Sequence, residues 1–292
     1  MRRIGGRIIK SVGGFYDVET AEGVFSCKAR GIFRNNGTSP VTGDYVEITL
    51  SEGAEPIIEK ISERKNHIIR PPLANIDIAL LVASACQPAP NAFVIDKLIA
   101  VFESKDIETV LVFTKKDIAD CSEFIKTYEN AGYKVFSVDN MSGEGLSELK
   151  EYVSGKTCAL IGNSGVGKSS LINGFFPELN KETAEISKKL GRGKHTTREV
   201  CMYPYCGGYI ADTPGFSTVD IERYGMIERR EIRYCFTEFR RYEKDCRFND
   251  CLHLKEADCA VSAAAARGEI AKSRYESYVR MCAEAEAAEK KW

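Results

Sequence analysis

The sequence has no run of about 18 apolar residues, the length a helix needs to cross a bilayer, so a membrane span is excluded. It also lacks a charge imbalance. Its 41 Lys and Arg are offset by 42 Asp and Glu, and a net charge of −1 gives no general affinity for nucleic acid. The opening stretch MRRIGGRIIKSVGG is basic but has neither an apolar core nor a small-residue cleavage site, so it does not read as a signal peptide. A cytoplasmic protein with no membrane partner, and a monomer, is the expectation. The odd count of eleven cysteines lacks the pairing of a disulfide framework. Most of them, such as Cys27, Cys86 and Cys158, stand singly and read as small buried thiols; only Cys246, Cys251 and Cys259 cluster.

What is present is a globular composition, 43% hydrophobic and 28% charged, on a chain of 292 residues, long enough for two or three modules. Residues 1–70 alternate in short apolar segments separated by Gly, Asn and Pro, which predicts an all-β unit of about five strands. An OB-fold fits that count, and an SH3-like barrel fits nearly as well. The paired prolines of RPPLANID mark a stiff boundary near residue 70. From Ile76 the pattern becomes alternating strands and helices, beginning with the continuous apolar run IDIALLVASA. Such alternation predicts a mainly parallel sheet covered by helices, here over 71–221. Residues 222–292 read as helical, with the cysteine cluster between two helical stretches.

The strongest motif is GNSGVGKS, residues Gly162, Asn163, Ser164, Gly165, Val166, Gly167, Lys168 and Ser169, set between an apolar strand and the helix that Ser170 continues. Backbone N–H groups of such a loop wrap phosphates, Lys168 reaches the β- and γ-phosphates, and the Ser169 hydroxyl ligates Mg²⁺. Further on, DTPG supplies Asp212 for the same Mg²⁺ and Gly215 for an N–H that senses the γ-phosphate. Between them GRGKHTTRE (191–199) reads as a switch loop in which Thr196 or Thr197 gives a Mg²⁺-binding hydroxyl.

A base-reading signal precedes these motifs. TKKD (Thr114, Lys115, Lys116, Asp117) follows the apolar strand VLVF. An Asp there accepts two hydrogen bonds from guanine's N1–H and exocyclic amine, which adenine does not offer, while Lys115 packs beside the base. Thr114 stands where Asn is usual and ties the loop down. VDNMSGEGL (138–146) resembles the loop that backs the guanine carbonyl, with Asp139, Asn140 and Met141 in place of Ser-Ala-Lys. All parts of a GTPase are therefore present in rotated order, which is the signature of circular permutation; a sheet tolerates it because strands pair by position rather than by chain order.

At the C-terminal end CRFNDCLHLKEADC spaces Cys246, Cys251, His253 and Cys259 as C-x4-C-x-H-x5-C, a donor set for one structural zinc. The residue after DTPG is Phe216, which cannot orient a water. His195 is the polar candidate for that task, and Lys168, Thr196 and Thr197 stand with it as the catalytic candidates.

This arrangement, a β-barrel, then TKKD, GNSGVGKSSLIN, GRGKHTT and DTPG, then a Cys/His cluster, resembles the RsgA (YjeQ) family of ribosome small subunit-dependent GTPases over essentially the whole chain. The resemblance implies an N-terminal OB-fold that binds the small ribosomal subunit and its rRNA. It also implies subunit-stimulated hydrolysis of GTP to GDP, a role in late subunit maturation, and a water-orienting role for the residue matching His195. The family's usual Pro before the last cysteine is absent here. Two rivals remain open on the residues alone: an RNA-binding module whose nucleotide switch does not turn over, and a phosphate-loop ATPase or small-molecule kinase, against which Lys115 and Asp117 argue.

Overall fold

A computed structural model describes residues 1–31, 33, 38–139, 141–177, 200–214 and 227–290. The first strands are β1 Arg2–Val12, β2 Phe15–Thr20, β3 Gly23–Ala29, β4 Tyr45–Leu50 and β5 Ile57–Ile61. A short hairpin follows, β6 His67–Ile68 and β7 Leu73–Ala74, with the paired prolines in the turn between them. Then come β8 Ile78–Ser84, helix α1 Ala92–Glu103, β9 Glu108–Thr114, α2 Ser122–Asn130, β10 Lys134–Val138 and α3 Leu146–Tyr152. The remaining central elements are β11 Thr157–Ile161, α4 Lys168–Phe175, β12 Cys201–Tyr205 and β13 Gly208–Asp212, with α5 Ala260–Ala266 and α6 Lys272–Glu289 at the C-terminal end.

The chain forms two compact units. The first takes the described residues within Met1–Ile78, Lys150–Ile161 and Lys168–Gly215. Within it, β1 pairs antiparallel with both β2 and β4, β2 with β3, and β4 with β5, while β3 and β5 run parallel. That ring is closed, and its parallel β3–β5 contact gives the Greek-key OB-fold rather than the SH3-like alternative. One long strand closes it: Arg2–Arg7 face β4 and Gly6–Val12 face β2. The core is Ile8, Val18, Cys27, Val46, Ile48 and Ile58. Burial, with Asp17 adding, pushes the Cys27 thiol up to about 11, which suits a packing role. In the same unit β11 and β13 are parallel neighbours, β12 and β13 form an antiparallel hairpin, and β12 meets β1 at Cys201↔Lys10.

The second unit takes the described residues within Ala79–Leu149, Gly162–Gly167 and Phe216–Trp292. Its strands lie in the order β10-β9-β8, with β9 and β10 parallel. All seven residues of β8 are buried, as its unbroken apolar run requires.

The C-terminal segment departs from the expected pair of long helices. Residues 232–245 form three short 3₁₀ turns, Ile232–Cys235, Thr237–Arg241 and Glu243–Asp245. Phe236, with φ −106° and ψ 89°, breaks the helical path. A spacing of three then keeps Phe236 and Phe239 on one side, stacked at 5.2 Å and edge-on to Tyr278. The second stretch divides at Gly268, whose φ of +79° ends α5 in the left-handed conformation that glycine adopts without steric cost.

Arg274 of α6, 1% exposed, ties this segment to α1. Its Nε and Nη2 donate to the Glu238 carboxylate at 2.8 and 3.0 Å, and its Nη1 donates to Asp96 at 2.7 Å. The Tyr128 hydroxyl donates to the same Asp96 oxygen, and the Phe236 ring lies 4.5 Å from the guanidinium. Burial alone would lower the Arg274 pKa, but the two carboxylates outweigh it and keep the group charged. Replacing one member of such a buried cluster strands the others. Arg274→Met is expected to cost about 3–5 kcal/mol in chemical denaturation; an unchanged midpoint would show that the cluster contributes nothing.

Candidate functional site

The phosphate loop begins where β11 ends. Gly162 packs so closely on β8 that a Cβ there would lie 2.3 Å from the Val82 carbonyl oxygen, so no larger residue fits. Val166 is buried and anchors the loop, Ser164 and Gly165 are exposed, and Asn163 and Gly167 are half-buried. The loop leaves one compact unit for the other at the Gly167–Lys168 peptide bond. Lys168 opens α4, with Ser169 and Ser170 exposed beside it in the first turn.

Lys168 is 8% exposed, and burial pushes its ammonium down to about 8, with Asp212 opposing. A buried cation whose charge is disfavoured is poised for an anionic ligand such as a phosphate. Asp212 is the last residue of β13 and is 6% exposed; its register places it beside Leu160 of β11. The next residue, Thr213, donates its hydroxyl to the Leu160 carbonyl, which ties the chain just after Asp212 to β11. Lys168, Ser169 and Asp212 thus share one unit, the first two in the opening turn of α4 and the third at the end of β13.

The TKKD loop, the expected base reader, lies in the other unit and is stitched to the GNSGVGKS loop there. The buried Thr114 hydroxyl donates to the Val166 carbonyl, with the Ala83 carbonyl at 3.3 Å. Lys115, at φ +60°, donates its Nζ to the Gly165 carbonyl at 3.0 Å and to the Gln87 carbonyl. Asp117 is exposed at the loop tip, open to a ligand. Lys116 pairs with Glu144 at 2.6 Å and so links TKKD to the following loop. In that loop the Asp139 carboxylate accepts from the Met141 and Ser142 N–H groups at 2.7 and 3.1 Å, a local turn that replaces the usual Ser-Ala-Lys chemistry. Gln87 was not foreseen. Its segment, QPAP after β8, carried only turn-forming prolines, which were the available signal. Asn140, His195, Thr196, Thr197, Gly215 and Phe216 lie outside the described residues.

The four C-terminal donors do converge. The Cys246, Cys251 and Cys259 Sγ atoms and one His253 ring nitrogen all lie within 4.8 Å of one another. His253 Nδ1 is 3.5 Å from both the Cys246 and Cys259 sulfurs, which are 3.9 Å apart. Around one tetrahedral ion with sulfur at about 2.3 Å, neighbouring thiolates would sit about 3.8 Å apart, so this set could hold one metal. Burial, with Arg233 adding, lowers the His253 pKa and favours the neutral imidazole that ligation needs. The surrounding loop is held by Tyr275, whose hydroxyl donates to the His253 carbonyl at 2.8 Å. Glu256 accepts from the Leu252, Leu254 and Lys255 N–H groups in the same turn.

Comparison with known proteins agrees with this geometry. The RsgA GTPase family model matches residues 61–222, and the RsgA N-terminal domain model matches residues 5–58. The small ribosomal subunit biogenesis GTPase RsgA of Geobacillus thermodenitrificans is 42% identical over 285 residues, 96% of each chain. Among solved structures, YjeQ from Thermotoga maritima matches with a TM-score of 0.79 at 35% identity, covering 97% of this chain and 99% of that one. YloQ, described as a circularly permuted GTPase, matches at 0.78 and 34% identity, covering 98% and 96%. With the phosphate loop downstream of the base-reading loop and an OB-fold barrel ahead of both, this chain belongs to the RsgA GTPase family and is a circularly permuted GTPase.

Proposed function

We propose that the protein binds the small ribosomal subunit and its rRNA and hydrolyses GTP in a subunit-stimulated manner during late subunit maturation. The observation that carries this reading is the joining of Thr114 and Lys115 to the phosphate-loop carbonyls of Val166 and Gly165, which aligns a guanine reader with a triphosphate cradle. Its relatives are named small ribosomal subunit biogenesis GTPases, which supports the partner. The division of labour is 1–70 for subunit contact, 71–221 for the nucleotide and 222–292 for a zinc-bound support. No helix among the described residues is long and apolar enough to cross a membrane, which agrees with work on ribosomal subunits in the cytoplasm.

In this reading the loop N–H groups from Asn163 to Ser170 and the Lys168 ammonium hold the phosphates, and Asp117 selects guanine. Mg²⁺, which neutralises charge on the β- and γ-phosphates, would be held by Ser169, Asp212 and Thr197, with Thr196 as the neighbouring hydroxyl. Gly215 senses the γ-phosphate through its N–H, and Asn140 backs the base. Phe216 cannot orient water, so His195 takes that role, and it does so effectively only when the partner is bound. Slow intrinsic turnover and partner stimulation both follow. GTP and ATP turnover with and without isolated small subunits tests this. GTP-only hydrolysis that rises at least about tenfold with subunits is expected, whereas turnover indifferent to subunits would overturn the ribosomal reading. His195→Ala should keep GDP affinity and lose about 100-fold or more of the stimulated rate.

Zinc is the metal we assign to Cys246, Cys251, His253 and Cys259, because three thiolates and an imidazole leave no open position and suit a structural ion. Metal analysis should find about one zinc per chain, and a chelator or Cys251→Ser should remove it and lower the melting temperature of the full chain. A zinc-free chain whose melting ignores chelators would contradict the assignment.

A further inference from the structure

Arg7 of β1 is only 5% exposed, yet its side chain is turned away from the barrel core that the next residue, Ile8, enters. Its strand partners are Glu19 on β2 and Tyr45 on β4, so these three residues stand at one level of the barrel and on one face. Opposite them stand Thr157 and Tyr209, the first register pair of β11 and β13. The two sets interlock. Arg7 Nη1 donates to the Thr157 hydroxyl at 2.9 Å, and Nη2 donates to the Asn75 carbonyl at 3.1 Å. The guanidinium sits between two rings, 4.9 Å from the Tyr45 centroid and 4.6 Å from that of Tyr209. The Tyr209 hydroxyl in turn donates to Glu19. Thr157 is itself fixed on its other side, its N–H donating to the Asp77 carboxylate at 2.8 Å and its carbonyl accepting from the Asp77 N–H at 2.8 Å.

The position of this junction gives it consequence. β11 runs without interruption from Thr157 to Ile161 and then becomes the phosphate loop, while β13 runs from Tyr209 to Asp212. A paired strand transmits displacement along its length because each residue is held by two neighbours. A guanidinium fork held by directional bonds and two flat rings has few ways to yield. A shift of the barrel wall therefore moves Thr157 and Tyr209 together, and with them the bases of the two segments that hold phosphate and metal.

We propose that Arg7 is a positioning residue that couples the OB-fold barrel to the nucleotide site through Thr157 and Tyr209. Whatever seats on the barrel then changes nucleotide affinity, and by reciprocity nucleotide changes the barrel. The inference rests on the nucleotide site proposed above and not on the identity of the barrel's partner.

Reciprocity allows a test without any partner. Amide hydrogen exchange is measured across the full-length, metal-loaded chain with and without GDP and Mg²⁺, in the wild type and in Thr157→Val, Thr157→Ser and Arg7→Lys. In the wild type, nucleotide should slow exchange in β1, β2 and β4 by about fivefold or more, the lower end of ordinary couplings. Thr157→Ser keeps the hydroxyl acceptor and should keep that effect. Thr157→Val and Arg7→Lys should retain protection of the phosphate loop itself and lose it in the barrel. Should Arg7→Lys fail to fold, the pair Val against Ser at position 157 still decides. Barrel exchange indifferent to nucleotide in the wild type, or equally protected in Thr157→Val, overturns the proposal. Absence of subunit-stimulated turnover with the exchange effect intact would sink the partner reading and leave this one standing.

Discussion

The hold of Thr114 and Lys115 on the carbonyls of Val166 and Gly165 is the constraint on which the proposed nucleotide site depends. Guanine reading and phosphate binding are useful only at a fixed spacing, and here the two loops are fifty-two positions apart between Thr114 and Val166. Direct bonds from one loop to the other set that spacing independently of the order in which the chain reaches them. This is why rotation of the chain leaves the chemistry intact. Thr in place of the usual Asn serves because the task is a single hydrogen bond to a buried carbonyl, which a hydroxyl performs. The same logic explains Gly162, whose contact with β8 leaves no room for a side chain.

Rotation also frees both ends of the GTPase segment for additions, and each addition is held by a buried arginine. Arg7 joins the barrel to β11 and β13 within the first unit. Arg274 joins the segment that carries the Cys/His cluster to α1 within the second. The two are not alike. Arg274 donates to two carboxylates, so its removal leaves unpaired buried charge; Arg7 hydrogen-bonds a hydroxyl and carbonyls and faces two rings, with Asp77 and Glu19 acting on its charge without a direct hydrogen bond to it. The first is suited to anchoring and the second to transmitting a displacement.

Much of this was legible in the sequence. The phosphate-loop and TKKD motifs stand in contiguous residues, and the structure brings Thr114 and Lys115 onto Val166 and Gly165; the C-x4-C-x-H-x5-C spacing brought its four donors together as expected. The strand pattern alone left OB-fold and SH3-like rings open, because they differ in which strands meet and the deciding β1–β4 and β3–β5 pairings are long-range; the OB-fold expected from the resemblance is the one those pairings build. The 3₁₀ path of residues 232–245 was hidden by a helix-like composition; packing of Phe236 and Phe239 on Tyr278 overrides that propensity. Arg7 and Arg274 were invisible for a simpler reason. A charged residue in a strand or helix reads as surface, and their partners lie 36 to 178 positions away.

The central claim is that a reordered chain builds a guanine-selective site in which Asp117 reads the base. Nucleotide affinities of the wild type and of Asp117→Asn for guanosine and xanthosine diphosphates test it most directly. Xanthine carries a carbonyl where guanine carries its amine, so an Asn amide can donate where the Asp carboxylate accepted. The account predicts that the wild type prefers the guanine nucleotide and that the variant reverses the preference, each by about 100-fold or more. Unchanged guanine affinity in the variant would contradict it.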